Sequence, residues 1–390
     1  GGLTSGTGGT TGSTSGTGGS TSGTGGSTTT GGPSVASGTT TGITKDTIFI
    51  GMHAPLSGAS PLPQGSFENG AKKFWAGKKF FGRNVVVEIR DDKYTPSGAV
   101  RACEELARKT FIVLGAAGTD QIQACGRNRL LQKTNTPYIS SGVTENGLRG
   151  IATYFANSLT YKQQSPLVVA NAKRQGFADD GKWALVLSDT PNFEDAKVSM
   201  EAELKRAGIP YDYIPVPKAG TDGDAAALGT KLRAGRYPVV YFLGQPFFFA
   251  KTVNQAQDPT YVPTWTGPGP SMGVNSVLTL VCDAPGGFKA SYLSPYHGID
   301  KAPAGKYADD IEMITAGSMM GVEFMLKQLQ ANALFRESLL QKLRGGLQIP
   351  GGIFPPTDYS QGQFAGTAVY ALKPNCGPNQ WHTAAGPFSS

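Results

Sequence analysis

The chain has 390 residues, 39% of them hydrophobic, which is enough for one large or two medium α/β domains, two being the better fit. Its 35 basic and 28 acidic residues leave a net charge of +7, spread without a run of Lys or Arg or a basic stripe interleaved with aromatics, so nucleic acid is not an expected partner. No stretch reaches the roughly eighteen apolar residues of a membrane span. No signal peptide and no initiator Met stand at the start, as in a processed, exported chain, and four cysteines, an even number, fit an oxidising compartment.

Residues 1–42 are almost wholly Gly, Thr and Ser, with "SGTGG" recurring at 5–9, 15–19 and 22–26. Such a segment has little to bury and much backbone entropy to lose, so it reads as a low-complexity tail or linker spanning roughly 35 Å as a coil. Dense Thr and Ser would accept O-glycans. A lipidated Cys just ahead of such a spacer would tether the protein to a membrane, although no Cys is present here to carry the lipid.

From Lys45 the texture changes. "DTIFIGMHAPLSG" predicts a strand (47–52) running into a loop, and the next segment places Phe67, Ala71, Phe74 and Trp75 on one helical face. "NVVVEIRDD" follows as a strand, a helix starts after Pro96, and "FIVLGAAGTD", "QIQACGRNRLLQKTN" and "PYISSG" continue the alternation. A second set begins near Tyr161 and runs through "KWALVLSD", "FEDAKVSMEAELKRAG", "IPYDYIPVP", "DAAALGTKLRAG" and "PVVYFLG". The alternation implies parallel sheets with right-handed crossovers. Beyond Leu243 the pattern is less regular: a crossing strand near "ASYLSPYHG", a long helix in "YADDIEMITAGSMMGVEFMLKQLQANA" and a late strand in "TAVYALKPN".

Catalysis finds no constellation in the sequence. "GPSMG" (269–273) matches the G-x-S-x-G elbow in form, but Pro268 and Pro270 flank it, and an elbow needs a strand turning directly into a helix plus a poised His and acid. His53, His297 and His382 lack metal-ligand spacing. Asp91 and Asp92 end a strand and read as a capping or surface pair. "GAAGTDQ" lacks the third glycine and acidic partner of a dinucleotide fingerprint and no Walker loop exists, so no cofactor is expected. Met313, Met319, Met320 and Met325 read as filling for an amphipathic core face. Cys103 and Cys125 fall on neighbouring helices across a strand and are expected to pair, with Cys282 and Cys376 as the second bridge, each inside one lobe.

The order and spacing of "DTIFIGMHAPLSG", "FGRNVVVEIRDD", "RACEELARKTFIVLGAAGTDQIQA", "TPYISSGVT", "WALVLSDTPNFEDA" and "YPVVYFLGQ" resemble the periplasmic branched-chain amino-acid binding proteins of ABC transporters. The resemblance runs over about residues 46–385. It implies the type I periplasmic binding fold: two doubly wound parallel-sheet lobes joined by a multi-strand hinge, assigned as 43–157 plus 292–358 and 158–291 plus 359–390. It implies an extracytoplasmic, non-enzymatic protein that closes on a small-molecule ligand and delivers it to an ABC permease.

By the same resemblance Ser140, Ser141, Val143 and Thr144 meet the ligand carboxylate, with Gly118 and Thr119 beside them and Ser57 to Gln64 on the near wall. Phe193, Gln245, Phe247 and Gly269 line the second lobe. The chain departs from the family where an acid would pair with the ligand ammonium, near Gly269, and where aromatics would replace Gln64 and Gln245. A buried ammonium without its carboxylate would cost several kcal/mol, so the expected ligand is a carboxylate or amide rather than an ordinary amino acid. The alternative is a structural subunit of an extracellular assembly whose tail contacts its neighbours.

Overall fold

The computed structural model describes residues 38–269 and 274–389. The reading of residues 1–42 as a linker falls mostly outside them, and so does Ser271 of the "GPSMG" stretch. Within the described residues the tail's last segment is tied down: the Thr39 N–H and hydroxyl both donate to the Glu337 carboxylate at 2.8 Å.

The first unit runs β1 (Thr47–Ala54), α1 (Gln64–Trp75), β2 (Lys79–Phe80), β3 (Arg83–Asp91), α2 (Pro96–Ala107), β4 (Ile112–Gly115), α3 (Thr119–Gly126), α4 (Arg129–Lys133), β5 (Tyr138–Ser140) and β6 (Tyr154–Ala156). Its sheet has the order β2-β3-β1-β4-β5-β6, parallel except for β2. The second unit runs α5 (Tyr161–Gln175), β7 (Trp183–Ser188), α6 (Glu194–Ala207), β8 (Tyr211–Val216), α7 (Asp222–Gly235), β9 (Val239–Leu243), α8 (Pro246–Ala256), β10 (Thr264–Thr266), α9 (Asn275–Val281) and β11 (Lys289–Ala290). Its all-parallel sheet has the order β11-β10-β9-β7-β8. Helices cover both faces of such sheets, which is why β7 (WALVLS) and β9 (VVYFL) are wholly buried and, apart from the terminal Ser188, hydrophobic.

The remainder comprises β12 (Tyr292–Ser294), α10 (Asp310–Lys327), α11 (Arg336–Arg344), β13 (Gln348–Ile349), β14 (Thr357–Asp358), β15 (Ala368–Asn375) and β16 (Gln380–Ser389). Strands β12, β15 and β16 form an antiparallel sheet of their own. Helix α10 packs on α1, and Met313, Met319 and Met325 sink into the core while Met320 stays 41% exposed.

The helix expected across 121–135 is two helices. The Asn128 side chain accepts the Leu130 N–H at 2.8 Å and starts α4 afresh, because a short amide satisfies the orphan donors of a new first turn better than a continuing helix would. The bridges are Cys103–Cys125, joining α2 to α3, and Cys282–Cys376, joining the end of α9 to the turn after β15.

Two buried charges fasten the elements. Arg336 is fully buried and its guanidinium donates to the carbonyls of Ala107, Thr110 and Thr134, which locks the start of α11 onto the first unit. Asp310 accepts the Asn275 N–H at 2.7 Å, and the Asn275 side chain accepts the Trp381 N–H at 3.0 Å, so α10, α9 and β16 meet at one point. Burial pushes the Asp310 carboxyl up to about 7, although the Asn275 N–H pulls it down in part.

Three outcomes follow. Arg336→Met should destabilise the fold by about 2–4 kcal/mol, because three carbonyls lose their donor; a denaturation midpoint within error of the parent's would contradict it. Replacing either cysteine pair with serines should lower stability by roughly 2–4 kcal/mol, and free thiols in the unreduced protein, measured by mass spectrometry, would contradict the bridges. Against an unfolded value of about 3.9, the raised folded pKa of Asp310 contributes stability that is present below pH ~4 and lost as pH rises through about 7. Asp310→Asn should therefore match the parent near pH 4 and exceed it near pH 8, by on the order of a few kcal/mol. Calorimetric melting that shows a pH-independent difference would contradict this assignment.

Candidate functional site

In each sheet the strand order reverses beside the first strand laid down: β3 and β4 flank β1, and β8 and β9 flank β7. Such switch points leave a crevice at the carboxyl ends of the strands. The loops after β1, β4, β7 and β9 converge on a single cleft: Pro55, Ser60 and Leu62 follow β1, residues 117–121 follow β4, Phe193 follows β7, and Gly244 to Pro246 follow β9. Tyr94, Tyr161 and Lys218 complete its wall. In this conformation it encloses about 60 Å³, room for a few water molecules.

The cleft is held shut by hydrogen bonds between the units. Asp195, in the first turn of α6, accepts the Thr144 hydroxyl at 2.9 Å and the Glu145 N–H at 2.7 Å. Asp120, in the first turn of α3, is paired with Lys218 and accepts from the Asn192 amide. The Thr119 hydroxyl and the Tyr161 phenol are 3.1 Å apart, and the Gln245 amide donates to the Ala59 carbonyl. Burial lifts the Tyr161 phenol to about 12 and draws the Lys218 ammonium down to about 8. The first turns of α3, α5 and α8 all open at this cleft, so partial positive charge is concentrated there.

Of the residues singled out in the sequence, Gly118, Thr119, Phe193 and Gln245 line this cleft. Ser140 and Ser141 line a second, larger cavity instead, and the Ser140 hydroxyl lies 3.2 Å from the Tyr154 phenol and donates to the Ser141 carbonyl at 2.9 Å. Ser57, Gln64, Val143, Thr144, Phe247 and Gly269 line neither cavity. Ser57 donates to Asp91, the Gln64 amide to Glu68 at 2.7 Å, and Phe247 is half-buried. Gly269 has a φ of +64°, and a Cβ there would stand 3.0 Å from the Tyr161 ring, so no side chain fits without strain. Tyr94, Asp120, Tyr161 and Lys218 are cleft residues that sequence reasoning passed over.

The Asp91–Asp92 pair is structural. Asp91 gathers the N–H groups of Leu56, Ser57 and Lys93, and these bonds with the Ser57 hydroxyl hold its carboxyl below the usual range against the opposing pull of burial. Asp92, fully buried, sits 2.8 Å from His53 Nδ1, while His53 Nε2 sits 2.8 Å from the Tyr138 hydroxyl. This chain of three pins β1, β5 and the end of β3 together. His53 also lies within 4.8 Å of both sulfurs of Cys103–Cys125. With the sulfurs bonded to each other and both ring nitrogens engaged, the group has no free donor for a metal.

The chain matches the family model for periplasmic binding proteins over residues 47–377. A search of curated proteins gave no match. Among solved structures, it is similar to a fatty acid ABC transporter substrate-binding protein from Thermomonospora curvata, with 16% identity, a TM-score of 0.74, and coverage of 91% of this chain and 95% of that one. It is also similar to a leucine binding protein from Thermotoga maritima (14%, TM-score 0.70, coverage 87% and 98%). A third is a solute binding protein of an ABC transporter from Rhodopseudomonas palustris BisB5 in complex with 3,4-dihydroxy benzoic acid (16%, TM-score 0.68, coverage 88% and 98%). The two parallel sheets with their facing switch points and the match over most of the chain lead to one assignment: the chain belongs to the periplasmic binding protein family and has its type I fold.

Proposed function

We propose that this chain is an extracytoplasmic solute receptor that closes its two lobes on a small carboxylate or amide lacking an ammonium group and presents it to an ABC permease. The lobes in this reading are residues 43–157 with 292–358 and residues 158–291 with 359–390. The observation that carries it is the meeting of four post-strand loops at both switch points, with three helix first turns and Lys218 facing inward. Uncharged donors at the helix starts favour an anion or a carbonyl there, and Lys218, paired with Asp120 in the shut cleft, would turn to an entering carboxylate. An ammonium, by contrast, meets no free acid: Asp120 is taken by Lys218 and Asn192, and Asp195 by Thr144 and Glu145. The similar structures named for a fatty acid and for 3,4-dihydroxy benzoic acid support a carboxylate. No helix among the described residues is long and apolar enough to cross a membrane, in keeping with a receptor that meets its permease from outside.

Titration calorimetry tests the reading. 3,4-Dihydroxybenzoate or a short fatty acid should bind and leucine should not. Lys218→Met should weaken carboxylate binding by roughly tenfold to a hundredfold, the range for a hydrogen bond to a charged group. Micromolar leucine binding, or carboxylate binding indifferent to Lys218, would sink it.

A further inference from the structure

The second cavity, about 260 Å³, lies between α10 and the sheet of the first unit. It adjoins the cleft through Leu62, Ala117 and Val274, which line both, but its walls are otherwise distinct. Met52, Leu114 and Ile139, at the ends of β1, β4 and β5, face Phe67 of α1 and Ile311 and Ile314 of α10. An apolar cavity of about 150 Å³ takes up benzene, so this one has room for a ring and a few further carbons.

Three polar atoms of its lining are buried without a hydrogen-bond partner among the described residues: the Thr315 hydroxyl, the Tyr359 hydroxyl and the Asn157 side-chain oxygen. Thr315 and Tyr359 are 1% and 2% exposed. Buried polar atoms in folded proteins are almost always partnered, so these three call for a molecule with hydrogen-bonding capacity. That molecule is neutral: Glu323 and Lys327 of the lining are paired at 3.0 Å, and an unmatched buried charge would be strongly disfavoured. Neither a carboxylate nor an ammonium suits the chamber, in contrast to the cleft.

One side of the cavity is closed by a seam of glycines. A Cβ on Gly317 would stand 2.7 Å from the Phe354 ring, and one on Gly352 would stand 2.9 Å from the Met320 methyl group. The loop of residues 349–355 therefore lies directly on α10, with the part-exposed Met320 across the join. An unbranched thioether swings aside at little cost.

We propose that this chamber is a separate binding site for an uncharged, mainly apolar molecule bearing a hydroxyl, of the alkylphenol class. The test titrates the full chain with 4-propylphenol, propylbenzene and 4-propylbenzoate near pH 7. The phenol should bind saturably, the hydrocarbon about five- to tenfold more weakly, and the carboxylate should be excluded from the chamber. Ile314→Trp, which fills the space, should weaken phenol binding at least tenfold, and Thr315→Val with Tyr359→Phe should erase the preference for phenol over hydrocarbon. In the parent protein the Met320 methyl resonance should shift on titration, a readout that needs no variant to fold. Lys218→Met should leave phenol binding unchanged. Absence of saturable phenol binding, an unmoved Met320 methyl, or phenol binding lost with Lys218→Met would overturn the proposal. Because carboxylate binding in the cleft is scored separately, either reading can fail alone.

Discussion

Parallel sheets leave unpaired polar groups at one edge, and this molecule is arranged around that constraint. Every crossover helix begins just beyond the carboxyl end of a strand, so the donors of its first turn have no partner within the helix. Two sheets whose strand ends line one cleft place two sets of such donors in one crevice. Across that crevice Asp195 and Asp120 meet other donors of the chain, the Thr144 hydroxyl, the Glu145 N–H and the Asn192 amide. The shut cleft is thus a self-satisfied state. On the proposed reading, a solute that enters must offer acceptors good enough to replace carboxylates already in place.

The cleft is only as well defined as the strand ends that bear it. His53, Asp92 and Tyr138 tie together the ends of strands that are distant in sequence, and Asp91 draws the first loop inward through three donors, the Leu56 and Ser57 N–H groups and the Ser57 hydroxyl. At the opposite side Arg336 binds three carbonyls of the first unit. His53, Asp92, Tyr138 and Arg336 are buried polar groups, so removing the partner of one of their bonds costs more than the bond itself. They fix geometry near the crevice at places where apolar packing alone would allow sliding.

The first two-thirds of the fold was legible in the sequence because buried parallel strands are continuous apolar runs bounded by capping residues. The later part was not, for physical reasons. Helix α8 opens three residues after β9 with Pro-Phe-Phe-Phe, an aromatic run that local propensity does not tell from a buried strand. Helix α11 begins with a buried arginine, against every expectation of patterning. Gly118, Thr119, Phe193 and Gln245 were named through the resemblance, which points to the loops that follow strands. Tyr161 and Lys218 matter only because two lobes meet, a property of tertiary structure. Their one local signal is position: Tyr161 opens a helix behind the capping Thr160, and Lys218 stands two residues beyond β8.

The bridges Cys103–Cys125 and Cys282–Cys376 both avoid the cleft: one joins two helices of the first unit, and the other stitches α9 to the antiparallel sheet beside the second. Covalent stiffness is thereby added where it does not oppose opening and closing. In a receptor that opens and closes on a solute, as proposed, neither bridge would have to stretch or break for the halves to part.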